Sequence, residues 1–420
     1  MSMSGGFQQC KVPLPVVNER LLLFILAAVQ FTHVLDFMII LPLGKELMER
    51  FEISPGGWSG LTAAYSLSAA VVGFGAGFVM DRLPRRGTLL VLYAGFAVGT
   101  LGCALAGSYE WLFVARTLTG LCGGVASAVV AAMLADVVGP ERRGRGMAVV
   151  AAAFPVAQVM GLPAGLWLSG RFGWHAPFFL LGGVSFVVLA VAAFALPSVP
   201  SVRAVISPMA QMRAILTHRV HVRGFALSGV LLFAGALVAP FMAPAMELNV
   251  GLGMDEISLM YFCSGVVTLF STSLFGWLSD RFDKLHVLCG VSVFTIISVL
   301  MITRWEAAPL WVTLGVTTVF FVTMSGRFAP AMSMVANAVE PEFRGGFMSV
   351  NAAGQQACAS VAHVVAGAMI TRDAAGRLVG YADVGVLAAV MFVVSLFLAA
   401  WLRAAAPWAA RNGRGDAVRA

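Results

Sequence analysis

Four ionisable side chains interrupt long runs of Leu, Val, Ala and Phe: His33, Asp36, Arg116 and Arg327. Charge inside hydrocarbon costs several kcal/mol unless paired, so such groups are functional by default. Asp36 lies about 12 Å from the C-terminal end of its apolar run at the helical rise, and His33, three residues earlier, shares its helical face. A carboxylate beside imidazole, the side chain that titrates most readily near neutrality, makes a short proton relay. Arg116 sits at a similar depth, about 9 Å into another run, and is the natural counter-charge. If the two meet across a cavity, protonating Asp36 releases Arg116 and deprotonation restores the pair, so one proton biases two states. A structural ion pair locking two helices is the competing account.

Arg327 is a second cation of this kind. With Gln355 and Gln356 at a similar depth on the next run, it can hydrogen-bond a polar or anionic solute; a packing arginine satisfied by carbonyls fits equally well. Phe37, Phe233, Phe241, Met242, Phe320, Phe321, Met324 and Phe328 offer an adaptable apolar surface to an amphipathic compound, although singly each reads as packing. His363 reads as a packing histidine. No His, Cys or carboxylate cluster has metal-ligand spacing, and neither a His-Glu-x-x-His helix, a Gly-x-Ser-x-Gly turn nor a phosphate-binding loop occurs. No metal, cofactor or enzymatic activity is expected, and energy must come from an ion gradient.

The elements that position these groups are membrane helices. Of 420 residues, 60% are hydrophobic and 11% charged, with a mean hydropathy of +0.90. A bilayer core about 30 Å thick needs roughly 20 apolar residues per helix. Such spans fall near 21–44, 58–80, 88–108, 110–135, 146–170, 176–197, 224–248, 257–279, 286–303, 310–338, 346–370 and 386–403. Membrane strands would be far shorter and alternating, so the class is all-α. Of the 27 Lys and Arg residues, only Lys45, Arg50, Arg171, Arg304, Arg372 and Arg377 fall in loops on the side opposite the N-terminus. The positive-inside bias therefore places both termini in the cytoplasm, in a protein of the cell (inner) membrane. The net charge of +7 is dispersed in short loops beside lipid headgroups, which argues against nucleic acid as a partner. Residues 1–19 show no cleavable signal, and the cysteines lack CxxC spacing, so neither a disulfide framework nor a zinc site is expected.

Two charged phrases recur. Gly77-Phe78-Val79-Met80-Asp81-Arg82 returns as Gly276-Trp277-Leu278-Ser279-Asp280-Arg281, and Pro140-Glu141-Arg142-Arg143-Gly144 as Pro341-Glu342-Phe343-Arg344-Gly345. Both recur after about 200 residues, which implies two homologous halves, the arrangement by which secondary transporters make a central site. The expected domains are a six-helix bundle over 1–197, a linker over 198–223 that can hold a short surface helix, a second bundle over 224–403, and a tail over 404–420.

At these phrases the chain resembles the major facilitator superfamily, over essentially its whole length. Gly77, Asp81, Arg82, Arg85 and Arg86 match the family's loop between spans 2 and 3, with a weaker copy at Gly276, Asp280, Arg281 and Lys284; Pro84 and Asp283 stand where glycine is usual. Arg116, Gly120 and Gly124 match the span 4 stripe. His33 to Asp36 with Pro42 resembles the acidic span 1 signature of drug and sugar exporters, and Gly161, Pro163 and Gly165 a degraded antiporter motif. The resemblance implies two pseudo-symmetric six-helix bundles of twelve spans working by alternating access. It implies an inner gate in which Asp81 approaches Gly345 and Gly346, Asp280 approaches Gly144 and Gly146, and Glu141, Arg143, Glu342 and Arg344 complete a charge network. The expected activity is proton-coupled export of a small organic or amphipathic solute, with no obligatory protein partner. The alternatives are a proton-coupled importer of a sugar or organic acid, and a non-transporting sensor of the same fold.

Overall fold

The computed structural model describes residues 18–79, 83–138, 140–197 and 208–410. The apolar runs fold as helices because hydrocarbon cannot satisfy backbone N–H and C=O groups, whereas a helix satisfies them internally. Their starts are cut by polar caps: the Asn18 side chain accepts from Leu21 N–H (3.3 Å), Ser108 from Trp111 N–H (3.2 Å) and Asp283 from Leu285 N–H (2.9 Å).

The first half contains α1 (Glu19–Ile39), a 3-10 turn at Leu41–Leu43, and α2 (Gly44–Arg50). It continues with α3 (Pro55–Val79), α4 (Arg85–Ala104) and α5 (Tyr109–Val137). Its fifth span is assembled from α6 (Pro140–Ala151), α7 (Ala153–Val156), a π turn at Ala157–Gly161 and α8 (Leu162–Phe172), and α9 (His175–Ala195) is the sixth. A short helix, α10 (Pro208–Thr217), precedes the second half. There α11 (Arg219–Leu248), α12 (Met254–Arg281) and α13 (Lys284–Ile302) are followed by α14 (Leu310–Gly326) and α15 (Phe328–Ala338), which together make one span. Then come α16 (Pro341–Met369), a hairpin of β1 (Thr371–Arg372) and β2 (Leu378–Val379), α17 (Tyr381–Ala405) and α18 (Pro407–Ala410).

All twelve expected spans are present, and the small hairpin is the sole departure from all-α among the described residues. Eleven spans are long and apolar enough to cross a membrane. The twelfth, α16, has 29 residues but is more polar, carrying Asn351, Gln355 and Gln356. Three expected helices are interrupted. Pro42 ends α1 early, Pro155 and Pro163 flank the π turn, and the span of α14 and α15 breaks at Arg327. α11 starts at Arg219, inside the stretch expected to be linker.

Neighbour relations repeat between the halves. α3 packs on α5 as α12 packs on α14, α4 on α9 as α13 on α17, and α1 on α9 as α11 on α17. Cross-half contacts repeat too: α3 lies on α16, while α12 lies on α8 and the π turn. The bundles are therefore pseudo-symmetric.

The apolar core is forked. One cluster, containing Ile39, Trp58, Phe178, Phe241, Met246 and Phe392, runs through both halves. Towards the end where α10 lies, termed here the linker end, it divides into separate clusters. One is Leu22, Val29, Phe96 and Met133 of the first half, and the other Leu227, Met334, Phe347 and Leu402 of the second. The opposite, distal end is closed and the linker end is open.

Small residues set the helix spacing. A Cβ at Gly120 would lie 2.3 Å from the Tyr65 carbonyl oxygen, and one at Gly124 would lie 2.5 Å from Ala69 Cβ, so α5 touches the backbone of α3. Gly120→Leu should destabilise the first half by about 1–3 kcal/mol, the usual effect of overpacking. The check is the midpoint of thermal unfolding in detergent; an unchanged midpoint would contradict this close approach.

Candidate functional site

A cavity of about 750 Å³ fills the fork between the halves. Gln30 and His33 of α1, Ala69 and Gly73 of α3, Gly124 and Ser127 of α5, and Ser349, Gln355 and Gln356 of α16 line it. Arg85, Met212, Ile215, Gly345 and Gly346 surround its mouth at the linker end. Its wall is small, aliphatic or polar rather than aromatic, with Val125, Val129, Leu232, Met348 and Val350 among the lining residues.

Asp36 and Arg116 do meet. Arg116 Nη1 donates to Asp36 Oδ2 at 2.7 Å and to the Asp36 carbonyl at 3.2 Å, and Thr100 Oγ1 donates to Asp36 Oδ1 at 3.1 Å. Both side chains are 0% exposed. The expectation that they face each other across the cavity is corrected: the pair is sealed inside the first half, and neither residue lines the cavity. Nor does His33 contact Asp36 directly. Its Nδ1 shares a hydrogen bond of 2.9 Å with the hydroxyl of Tyr65, whose ring lies 4.6 Å from the Arg116 guanidinium carbon. A chain therefore runs from the cavity through His33 and Tyr65 to the ion pair. Nothing in the sequence singled out Tyr65 or Thr100, since polar residues on apolar helices are ordinarily satisfied by their own turn.

Of the eleven residues expected to line the cavity, Gln355 and Gln356 do, while Phe320 is buried in the core that runs through both halves and Phe321 packs against it. Phe37 lies tilted against Tyr65 with ring centroids 5.4 Å apart, Phe241 and Met242 are buried in the distal core, and Phe233 packs against it. Phe328 packs against the linker-end cluster of the second half. Arg327 is 0% exposed, with its guanidinium carbon 3.9 Å from the Phe392 ring centroid and Nη2 donating to Met324 Sδ at 2.9 Å. Met324 in turn abuts Gly235 of α11. These side chains point into the bundles because each helix turns its bulky apolar face toward its neighbours. Gly161 and Gly165 are contact points, the first against Leu35 and the second against Ile39 of α1, while Pro163 starts α8.

Among the described residues, the contacts expected of a closed inner gate are not made in this conformation. Asp81 and Arg82 lie outside the described residues, as do the surroundings of Gly77 and the side chains of Glu141, Arg143 and Glu342. Asp280 is exposed and has no partner among the described residues, and the contact with Gly144 and Gly146 expected of a closed inner gate is not made with this end open: Gly144 faces open space and Gly146 faces Leu23 and Leu134. Gly276 also faces open space. Arg85 Nε bonds Asp136 at 3.3 Å, Arg86 bonds the Ala193 carbonyl, Arg281 stacks on Trp277, and Arg344 bonds the Val339 carbonyl. Lys284 is buried at the start of α13. These bases hold their own half together because the halves are parted here.

The distal end carries the closed gate, which the sequence reading missed. Lys45 Nζ bonds Glu247 Oε1 at 2.9 Å, Arg372 Nη2 bonds Glu49 Oε1 at 3.1 Å, and Ser360 Oγ bonds the Ala63 carbonyl at 3.0 Å. Trp58 Nε1 donates to the Pro240 carbonyl at 2.9 Å. That oxygen needs an outside donor, since Pro244 occupies the i+4 position and has no N–H. The signal for Lys45 and Glu247 was available: they are 202 residues apart, the repeat distance, with opposite charges. Equivalent positions near a pseudo-twofold axis meet each other.

Comparisons with known proteins follow this geometry. Residues 26–238 and 224–419 match the sequence profile described as Major Facilitator Superfamily. The MFS-type transporter YceJ of Bacillus subtilis is 25% identical over 385 residues, covering 88% of this chain and 93% of that protein. A multidrug resistance protein B homolog of Mycobacterium tuberculosis is 37% identical over 132 residues, covering 31% of this chain and 24% of that one. Among solved structures, a bacterial homolog of the human lysosomal transporter Spinster, in an inward-facing and unoccupied conformation, has a TM-score of 0.71 at 15% identity, covering 93% of this chain and 98% of its own. A D-xylose–proton symporter has a TM-score of 0.72 at 16% identity, covering 91% and 97%. At these identities the structural likeness speaks to fold alone.

The distal contacts define a test. With native cysteines replaced by serine, Lys45→Cys together with Glu247→Cys should be joined by a short thiol cross-linker. Substrate flux should then stop and return on reduction. Undiminished flux in the cross-linked protein would mean that this end does not open.

Proposed function

This chain belongs to the Major Facilitator Superfamily, and we propose that it is a proton-coupled secondary transporter that exports small organic solutes by alternating access. The observation that carries the reading is the sealed Asp36–Arg116 pair joined to the cavity by His33 and Tyr65. Breaking such a pair by removing one partner costs about 3–5 kcal/mol, so a group able to neutralise Asp36 in place has strong leverage on the first half. A proton taken up at His33 and passed to Asp36 cancels the carboxylate charge. Arg116 then loses its anion, and the helices it holds, α1 and α5, repack.

Export requires the linker end to be cytoplasmic, which the basic loops support, and the cavity to load from that side in the conformation described. Closure would bring the repeated loop phrases together and part Lys45 from Glu247. Each contact at the two ends is weak singly, so together they tune a two-state balance and leave the fold intact. The partial match to the mycobacterial multidrug resistance homolog favours export. The two bundles, the second beginning with α11 at Arg219 rather than at 224, act as the two rocking bodies.

The decisive measurement is solute flux in reconstituted vesicles under an imposed pH gradient. Asp36→Asn keeps the shape and the Thr100 contact but cannot exchange a proton. It should lose at least about tenfold of the gradient-driven flux, equivalent to about 1.4 kcal/mol, while solute exchange without a gradient persists. Gradient-driven flux equal to wild type would remove the coupling role. Accumulation in the direction of proton flow would make the protein an importer.

A further inference from the structure

The groups that face the cavity are uncharged apart from a titratable imidazole. Gln30 and His33 on one side, Ser349, Gln355 and Gln356 on the other, and Ser127 between them form its polar wall, and mainly alanine and glycine separate them. No Asp or Glu lines it among the described residues. The nearby carboxylate, Asp36, is withdrawn behind Tyr65 and neutralised by Arg116. At the mouth stands Arg85, a cation, whose Nε donates to Asp136. One polar group is available to a guest: the Gln355 amide reaches only Met332 Sδ, at 3.6 Å, whereas the Ser127 oxygen, also without a partner among the described residues, is buried.

We infer that the cargo is an uncharged solute with several hydroxyl or amide groups, and that organic cations are excluded; this rests on the transport reading above and names its substrate class. Each glutamine presents two N–H donors and an oxygen with two lone pairs, so the three together meet hydroxyl donors and acceptors alike. A neutral polyhydroxylated solute therefore exchanges its water for equivalent bonds. A cation entering the same space gives up hydration and finds no carboxylate to replace it. The aromatic surface that would stack on a lipophilic cation is turned away into the bundles, and the apolar part of the wall is aliphatic, from Val125, Val129, Leu232, Met348 and Val350. Because the wall draws on α1, α5 and α16, a solute with hydroxyls on opposite edges touches both halves at once and links its binding to their closure.

The test is equilibrium binding of radiolabelled probes to the purified full-length protein in vesicles, with flux measured in parallel. D-glucose and uridine serve as neutral probes, benzoate as the anion and tetraphenylphosphonium as the cation. At least one neutral probe should bind saturably, and Gln355→Ala and Gln356→Ala should each weaken it by about threefold to tenfold, the loss of one or two hydrogen bonds. Gln355→Glu, nearly isosteric but anionic, should introduce saturable tetraphenylphosphonium binding. The solute class is overturned by saturable tetraphenylphosphonium or benzoate binding to the wild type, by no saturable binding of either neutral probe, or by neutral binding indifferent to both alanine variants. Neutral binding that those variants weaken, without any flux under a pH gradient, upholds the solute class and overturns the transport reading. Gradient-driven flux of tetraphenylphosphonium does the reverse.

Discussion

Hydrocarbon supplies no hydrogen bonds, so the helices of this molecule are tied where a buried polar group finds a partner on another helix. The Asp36 carboxylate receives Arg116 and Thr100 because leaving it bare at that depth would cost more than ordering three side chains from α1, α4 and α5. The Pro240 carbonyl receives the Trp58 indole because the helix itself has no donor for it. Polar pairing thus decides which helices are tied, and apolar packing fills the space between.

The forked core gives these ties their meaning. At the distal end one apolar cluster joins both halves, and the ion pairs of Lys45 and Arg372 lie across the join. At the linker end the clusters separate, and the bases there bond within their own half. A rigid pair of bundles can pivot only if the contacts at one end are exchanged for contacts at the other, and those contacts are individually weak and exposed. The buried Asp36–Arg116 pair, by contrast, lies within the first half and survives as a unit unless its charge is changed.

Much of this was legible before the coordinates. The spans are long apolar runs, and their ends follow from Pro55, Ser108 and Asp283, which start helices by known chemistry. The meeting of Asp36 and Arg116 followed from matching depth. The breaks at Pro42 and Arg327 and the π turn at Gln158 did not, since a proline inside a membrane helix can be absorbed or can end it, and neighbouring helices decide which. The aromatic cavity failed for a related reason. Phe241 and Met242 lie on α11, which reaches the cavity through Leu232, yet each residue turns the helix face by 100°, and packing turned both into the core.

The sequence by itself determined twelve helices, their duplication in two halves and the depth of each buried charge, because hydropathy, repeat distance and helical rise are properties of the chain taken in order. Only the tertiary structure decided which end is open, that Tyr65 stands between His33 and the ion pair, and that amides rather than rings face the cavity. Those facts depend on the rotation of each helix about its own axis and on the balance of weak contacts at the two ends, and both are set by neighbours distant in sequence.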